Sequence, residues 1–231
     1  MESFTPYLFG AGVATLVGLD RTAALQIMIS RPLVAAPLIG MLLGDVMTGL
    51  TVGMLLELLW LSRMPVGVNI PHDDTQVALG ATTLAIALSG TLGKGPGLIL
   101  CSLLVTLPLG KIGQAIERLV RARNQLLPRA AQRSLDAGGL PPIGRLHLLG
   151  LVNFALGALL TYSCIVLFGR WLILFAAPFL LDQLTVQRYW LKLALILVGS
   201  ATLLQSLNVR RAYTLYFSGF FVASFWIYVL R

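Results

Sequence analysis

Residues 31–75 read RPLVAAPLIGMLLGDVMTGLTVGMLLELLWLSRMPVGVNIPHDDT, a run apolar enough for a bilayer that nonetheless carries Asp45, Glu57, Asp73 and Asp74. A carboxylate at bilayer depth costs roughly 2.5–3.5 kcal/mol on insertion scales, so it faces a polar cavity or a partner rather than lipid. The same run is interrupted by Pro32, Pro37, Pro65, Pro71 and several glycines. Proline removes a backbone donor and disfavours helix at the residue before it. Membrane helices broken in this way surround small solutes in transporters. The stretch therefore predicts discontinuous helices around a polar site.

Composition supports a membrane setting for the whole chain. Of 231 residues, 57% are hydrophobic and 11% charged, against about 45–50% and 25% in soluble domains. The uncharged runs 75–93, 95–110, 146–169 and 212–230 approach the ~20 residues that a helix needs to cross hydrocarbon. Arg170-Trp171, Tyr189-Trp190 and Arg210-Arg211 mark interface positions and predict helix boundaries. Eight or nine apolar elements result. The fold class expected is an all-α polytopic membrane protein with broken or re-entrant helices, its two halves being candidates for inverted repeats. The amino terminus, MESFTPYLFG, lacks a positive n-region and is read as a retained first element rather than a cleaved signal.

One segment differs from the rest. Residues 111–145 hold Lys111, Arg118, Arg121, Arg123, Arg129, Arg133 and Arg145 against Glu117 and Asp136. Ile112, Ile116, Leu119, Val120 and Leu126 fall at helical spacing, and Glu117 and Arg121 form an i, i+4 pair. This predicts a basic amphipathic helix over 111–127, lying at the cytoplasmic surface and attracted to anionic lipid. The chain then divides into a first helical half (1–110), the basic segment (111–145) and a second helical half (146–231), all within one transmembrane domain. The net charge of +8 reflects these basic loops; no nucleic-acid-binding module accompanies it.

Catalytic arrangements are absent from the pattern. His72 and His147 stand in different contexts, and Cys101 and Cys164 each sit in an apolar run without a ligand partner at metal spacing. Neither a metal nor a cofactor is expected. Glu57, Asn69, Asp73, Asp74, Thr75 and Gln76 are better suited to a hydroxyl-rich solute, whose vicinal hydroxyls pair with carboxylates and amides. For Glu57 a structural pairing with Arg31 or Arg63 competes with this role, and for Asp45 a helix-capping role is preferred. Gly40/Gly44 and Gly49/Gly53 are expected to permit close helix contact.

The order of Ser30-Arg31-Pro32-Leu33, Leu43-Gly44-Asp45, Leu56-Glu57-Leu58 and Asn69-Ile70-Pro71-His72-Asp73-Asp74 resembles the IIC permease subunit of the mannose/fructose/sorbose class of bacterial sugar phosphotransferase systems. The resemblance is strongest over residues 17–83. It implies a multi-pass subunit of the bacterial inner membrane that pairs with a IID subunit, oligomerises, and carries a hexose-like sugar by an elevator movement of a core domain. Soluble IIA and IIB proteins would phosphorylate the sugar, the permease itself carrying no phosphohistidine. Glu57 and Asp73, followed by Asn69 and Asp74, are the sugar-site residues carried over by motif position. The turn departs from relatives in having Val68, Asn69 and His72 around Pro71. That departure keeps open a non-transporting structural or regulatory subunit of the same fold; an unrelated small-solute transporter is a separate alternative.

Overall fold

The computed structural model describes residues 4–60, 70–206 and 212–229, which are helical with no strand among them. The first part of the chain folds into short helices. α1 (Thr5–Thr22) is followed by α2 (Pro32–Leu42) and α3 (Val46–Trp60). Pro32 begins α2, where its missing donor costs nothing. At 11 and 15 residues, α2 and α3 are each below the ~20 needed to span hydrocarbon. They form an antiparallel hairpin that turns at Gly44, whose φ of +81° suits glycine.

Three of the four paired glycines make the hairpin close. A Cβ on Gly49 would lie 2.3 Å from the Ala36 carbonyl oxygen, one on Gly53 2.6 Å from that of Pro32, and one on Gly40 2.7 Å from that of Asp45. Gly44 instead serves the turn. Asp45 is a cap, as expected: its Oδ1 accepts from the Thr48 amide at 3.1 Å and its Oδ2 from the Thr48 hydroxyl at 2.9 Å. Lys94 adds an ion pair at 2.8 Å.

α4 (Asp74–Ala87) is the centre of the molecule. Every residue from Thr75 to Ala85 is buried, because α1, α2, α3, α6 and α8 pack around it. A helix covered on all sides needs no amphipathic stripe, and α4 has none. Its buried threonines Thr82 and Thr83 donate to the carbonyls of Ala78 and Leu79 one turn back, so their hydroxyls are satisfied internally. The single turn α5 (Ser89–Leu92) ends it.

Two of the remaining helices are longer than the sequence suggests. α6 runs unbroken over Pro96–Asn124, α8 over Ile143–Val186, and α9 (Arg188–Ser206) and α10 (Ala212–Val229) complete the chain. Two boundary expectations are corrected. The basic stretch 111–127 is not a separate surface helix; most of it is the last part of α6, with Gly113 and Glu117 buried. Lys111 introduces charge, but no proline or glycine pair follows to end the helix, and Pro108 is accommodated within it. The exposed basic helix is the shorter α7 (Leu126–Asp136), which has no buried residue. Likewise Arg170-Trp171 does not end a helix. α8 passes through it for 44 residues, about 66 Å at 1.5 Å per residue.

Candidate functional site

The polar centre forms where the end of α1 meets the start of α4 and the middle of α6. Asp73 caps α4, its Oδ1 accepting from the Gln76 amide at 3.0 Å. Its own amide donates to the Gly110 carbonyl at 3.2 Å, fixing the segment before α4 against α6. Only glycine fits at 113, where a Cβ would lie 2.5 Å from the Asp73 Cβ. The Gln114 side-chain amide, one turn beyond Gly110 along α6, donates to the Ile70 carbonyl and holds the same segment.

Arg21, in the last turn of α1, gathers the acids. Its Nη1 lies 3.2 Å from Asp73 Oδ2 and 3.0 Å from Glu117 Oε2, and its Nε 3.4 Å from Asp74 Oδ1. Its Nη2 donates to the His72 carbonyl at 3.1 Å. All three guanidinium nitrogens are thereby used, as a planar fork of five donors allows and an ammonium does not. Glu117 is shared with Arg121, the expected i, i+4 pair, at 2.6 Å. Three carboxylates therefore face two guanidiniums, with Arg21, Asp73 and Glu117 buried and Arg121 half exposed at the edge.

A second carboxylate site lies beside it. Glu57 on α3 pairs with Arg31 Nε at 3.1 Å and accepts from the Leu33 amide at 3.2 Å. The adjoining loop joins the two sites. The Ser30 carbonyl accepts from the Thr75 hydroxyl at 2.8 Å, and Asp20 accepts from the amides of Ile27 (2.8 Å) and Ser30 (3.0 Å). Between them Leu25, Gln26 and Met28 hold φ of +63°, +53° and +68°, a conformation uncommon for side-chain-bearing residues and often stored near functional sites.

Thus Asp73 and Asp74 come together around Arg21, while Glu57 is held separately by Arg31. Asn69, with Val68 and Arg63, lies outside the described residues. Sequence reasoning missed Arg21 and Asp20 as site-builders and left Glu117 on a surface helix. The signal was present. Asp20-Arg21 end an apolar run, and Glu117 shares one helical face with Gly113, Ile116 and Val120. A hollow of about 30 Å³ adjoins the cluster, bordered by Arg21, Asp73, Gln76, Gly113 and Glu117. That is room for a water rather than a hexose, so the cluster is closed in this conformation. Gln76 is buried there, its Nε2 donating to the Ala14 carbonyl at 2.9 Å and its Oε1 without a hydrogen-bond partner among the described residues.

Broken helices around a buried polar cluster define a polytopic membrane protein of transporter architecture. Two solved structures share the fold: one titled a membrane protein (TM-score 0.67), the other the mannose transporter ManYZ in complex with microcin E492 (TM-score 0.62). Each is 23% identical and covers 97% of this chain and 88% of the other. The chain belongs to the family of sorbose-specific IIC components of the phosphotransferase system, whose model matches residues 7–230. It is 32% identical to the mannose-specific EIIC component of Escherichia coli K12 over 121 residues, 52% of this chain and 43% of that protein. It is 27% identical to the fructose permease IIC component of Bacillus subtilis over 198 residues, 84% and 70% of the two chains. A sorbose-specific EIIC component of Lacticaseibacillus casei is 30% identical over 126 residues, 54% and 43% of the two. The match thus spans less than half the length of the mannose- and sorbose-specific relatives.

Proposed function

We propose that this chain is the membrane permease subunit of a mannose-type sugar phosphotransferase system in the bacterial inner membrane. It carries a hexose-like sugar inward, and soluble IIA and IIB proteins phosphorylate the sugar. A IID subunit is its membrane partner, in an oligomer, and the basic segment 111–145 faces the cytoplasm. Glu57, Asn69, Asp73 and Asp74 supply hydroxyl-binding groups, and no residue of this chain carries the phosphoryl group. The observation that supports this reading best is the convergence of Asp73, Asp74 and Glu117 on Arg21, beside the strained 23–31 loop.

Physically, the ion pairs and hydrogen bonds offset part of the cost of taking these carboxylates out of water. A sugar entering the site exchanges Arg21's bond to Glu117 for hydroxyl bonds, and this requires α1 and α4 to part from α6. An elevator movement of the α1–α4 region against α6 and α8 supplies that opening. The direct test is uptake of labelled hexoses by cells lacking this subunit and then complemented with it. Restored uptake with sugar recovered as its phosphate is expected. Uptake indifferent to the subunit sinks the reading.

One observation favours a second reading, a structural or regulatory subunit that keeps the fold without transporting. Each of Glu57, Asp73 and Asp74 is already paired with an arginine, and the adjoining hollow is water-sized. Normal sugar uptake after deletion, with altered assembly of a neighbouring complex, is its signature.

A further inference from the structure

One polar atom of the buried centre is left over. Gln76 is 1% exposed, and it follows Asp73 by three residues, so the two share a face of α4. Its side-chain Nε2 donates to the Ala14 carbonyl at 2.9 Å. A carbonyl only accepts, so the carboxamide nitrogen is fixed toward α1 and the oxygen is turned away from it. That oxygen, Oε1, has no hydrogen-bond partner among the described residues. A buried acceptor left unpaired is destabilising, and native proteins seldom keep one without a use.

The hollow of about 30 Å³ is where that use lies. One wall is Arg21, Asp73 and Gln76, from α1 and α4, and the other includes Gly113, Gly157 and Thr161, from α6 and α8. The Thr161 hydroxyl donates to the Gly157 carbonyl at 2.8 Å, which leaves it only lone pairs to offer. The hollow is thus bordered by spare acceptors from Asp73, Gln76 and Thr161, and a group that donates fits it. Its size matches one hydroxyl. Among the described residues no three carboxylate, imidazole or thiol groups are placed to hold a metal ion. The hollow also lies on the plane along which α1 and α4 part from α6. Gln76, tied to α1 through Ala14, stays with Asp73 when that plane opens.

We propose that Gln76 is a specificity-determining residue for the transported solute, its Oε1 accepting a hydrogen bond from one solute hydroxyl lodged in this hollow. The inference rests on the transport reading above and adds to it a residue that the family motif does not carry over. A solute lacking that hydroxyl leaves the oxygen unpaired in the closed site and is selected against. Discrimination by a hydrogen-bonding pocket against an analogue missing the matching group is stronger than discrimination by shape alone.

Equilibrium binding to the purified protein in detergent, with any subunits that co-purify, tests this. The probes are D-mannose and D-fructose, the hexoses for which relatives are named, and the monodeoxy analogues of whichever binds. The expected result is one analogue bound roughly tenfold less tightly than its parent by the unaltered protein. Gln76→Met, and Gln76→Leu as a second apolar replacement, should weaken the parent sugar by a similar factor and no longer distinguish that analogue from it. Without sugar, both variants should keep or raise the thermal midpoint, because an unpaired acceptor has been removed. Variants that bind and rank the sugars as the unaltered protein does, whether or not their midpoint falls, overturn this inference alone. An unaltered protein that binds neither hexose overturns the transport reading and this inference together. A midpoint raised by sodium in place of choline, with no sugar present, assigns the hollow to a cation and overturns the proposal.

Discussion

Two carboxylate sites use the same chemistry to different depth. Glu57 pairs with one arginine, and that arginine's side chain is 36% exposed. Around Arg21, which is 13% exposed, Asp73, Asp74 and Glu117 share one guanidinium, and the bonds tie together α1, α4 and α6. The difference shows where the fold concentrates its electrostatic stake. A pair whose cation reaches water is partly screened, and its loss costs less. A buried group cannot lose a partner without leaving a charge in a low-dielectric medium.

The contrast is most sharply broken by Arg21→Ala. Removing the shared cation leaves three carboxylates with only Arg121 nearby, and should destabilise the protein by about 3–5 kcal/mol, read as a large drop in thermal midpoint in detergent. Arg21→Lys should recover only part of this, since an ammonium cannot span three carboxylates and a carbonyl. Next in size is Glu117→Gln, which removes the charged tie from α6 while sparing the Asp73 pair. A loss of about 1.5–3 kcal/mol is expected, in the range of one charge-assisted hydrogen bond. Gly113→Ala should cost about 1–3 kcal/mol by overpacking, because its Cβ would collide with Asp73; an unchanged midpoint would contradict the close approach of α6 to that residue. Glu57→Gln should cost no more than about 1 kcal/mol, and raised salt should weaken the unaltered Glu57 pair while sparing the Arg21 group. Equal losses at Arg21 and Glu57 would erase the distinction.

The sequence carried much of the fold because its punctuation is physical. Pro32 begins α2, Gly44 turns the hairpin, Gly49 and Gly53 let α2 and α3 touch, and Asp45 caps α3. Each is a local steric or hydrogen-bonding requirement visible in one residue. The long helices were less legible. Lys111 and Arg170 read as borders, yet a charged residue does not stop a helix unless the backbone is also broken. The site was half legible for a related reason. Asp73 and Asp74 stand out in an apolar chain, but their partner Arg21 lies more than 50 residues earlier and Glu117 more than 40 later. Only tertiary packing brings α1, α4 and α6 together, and no spacing rule encodes it.

The central claim is that the acids near the start of α4 bind the transported solute. Calorimetric titration of the purified complex with candidate hexoses, for the unaltered protein, Asp73→Asn and Glu57→Gln, tests it most directly. The account predicts saturable binding that Asp73→Asn abolishes and Glu57→Gln weakens. Sugar binding that survives both substitutions unchanged would contradict it.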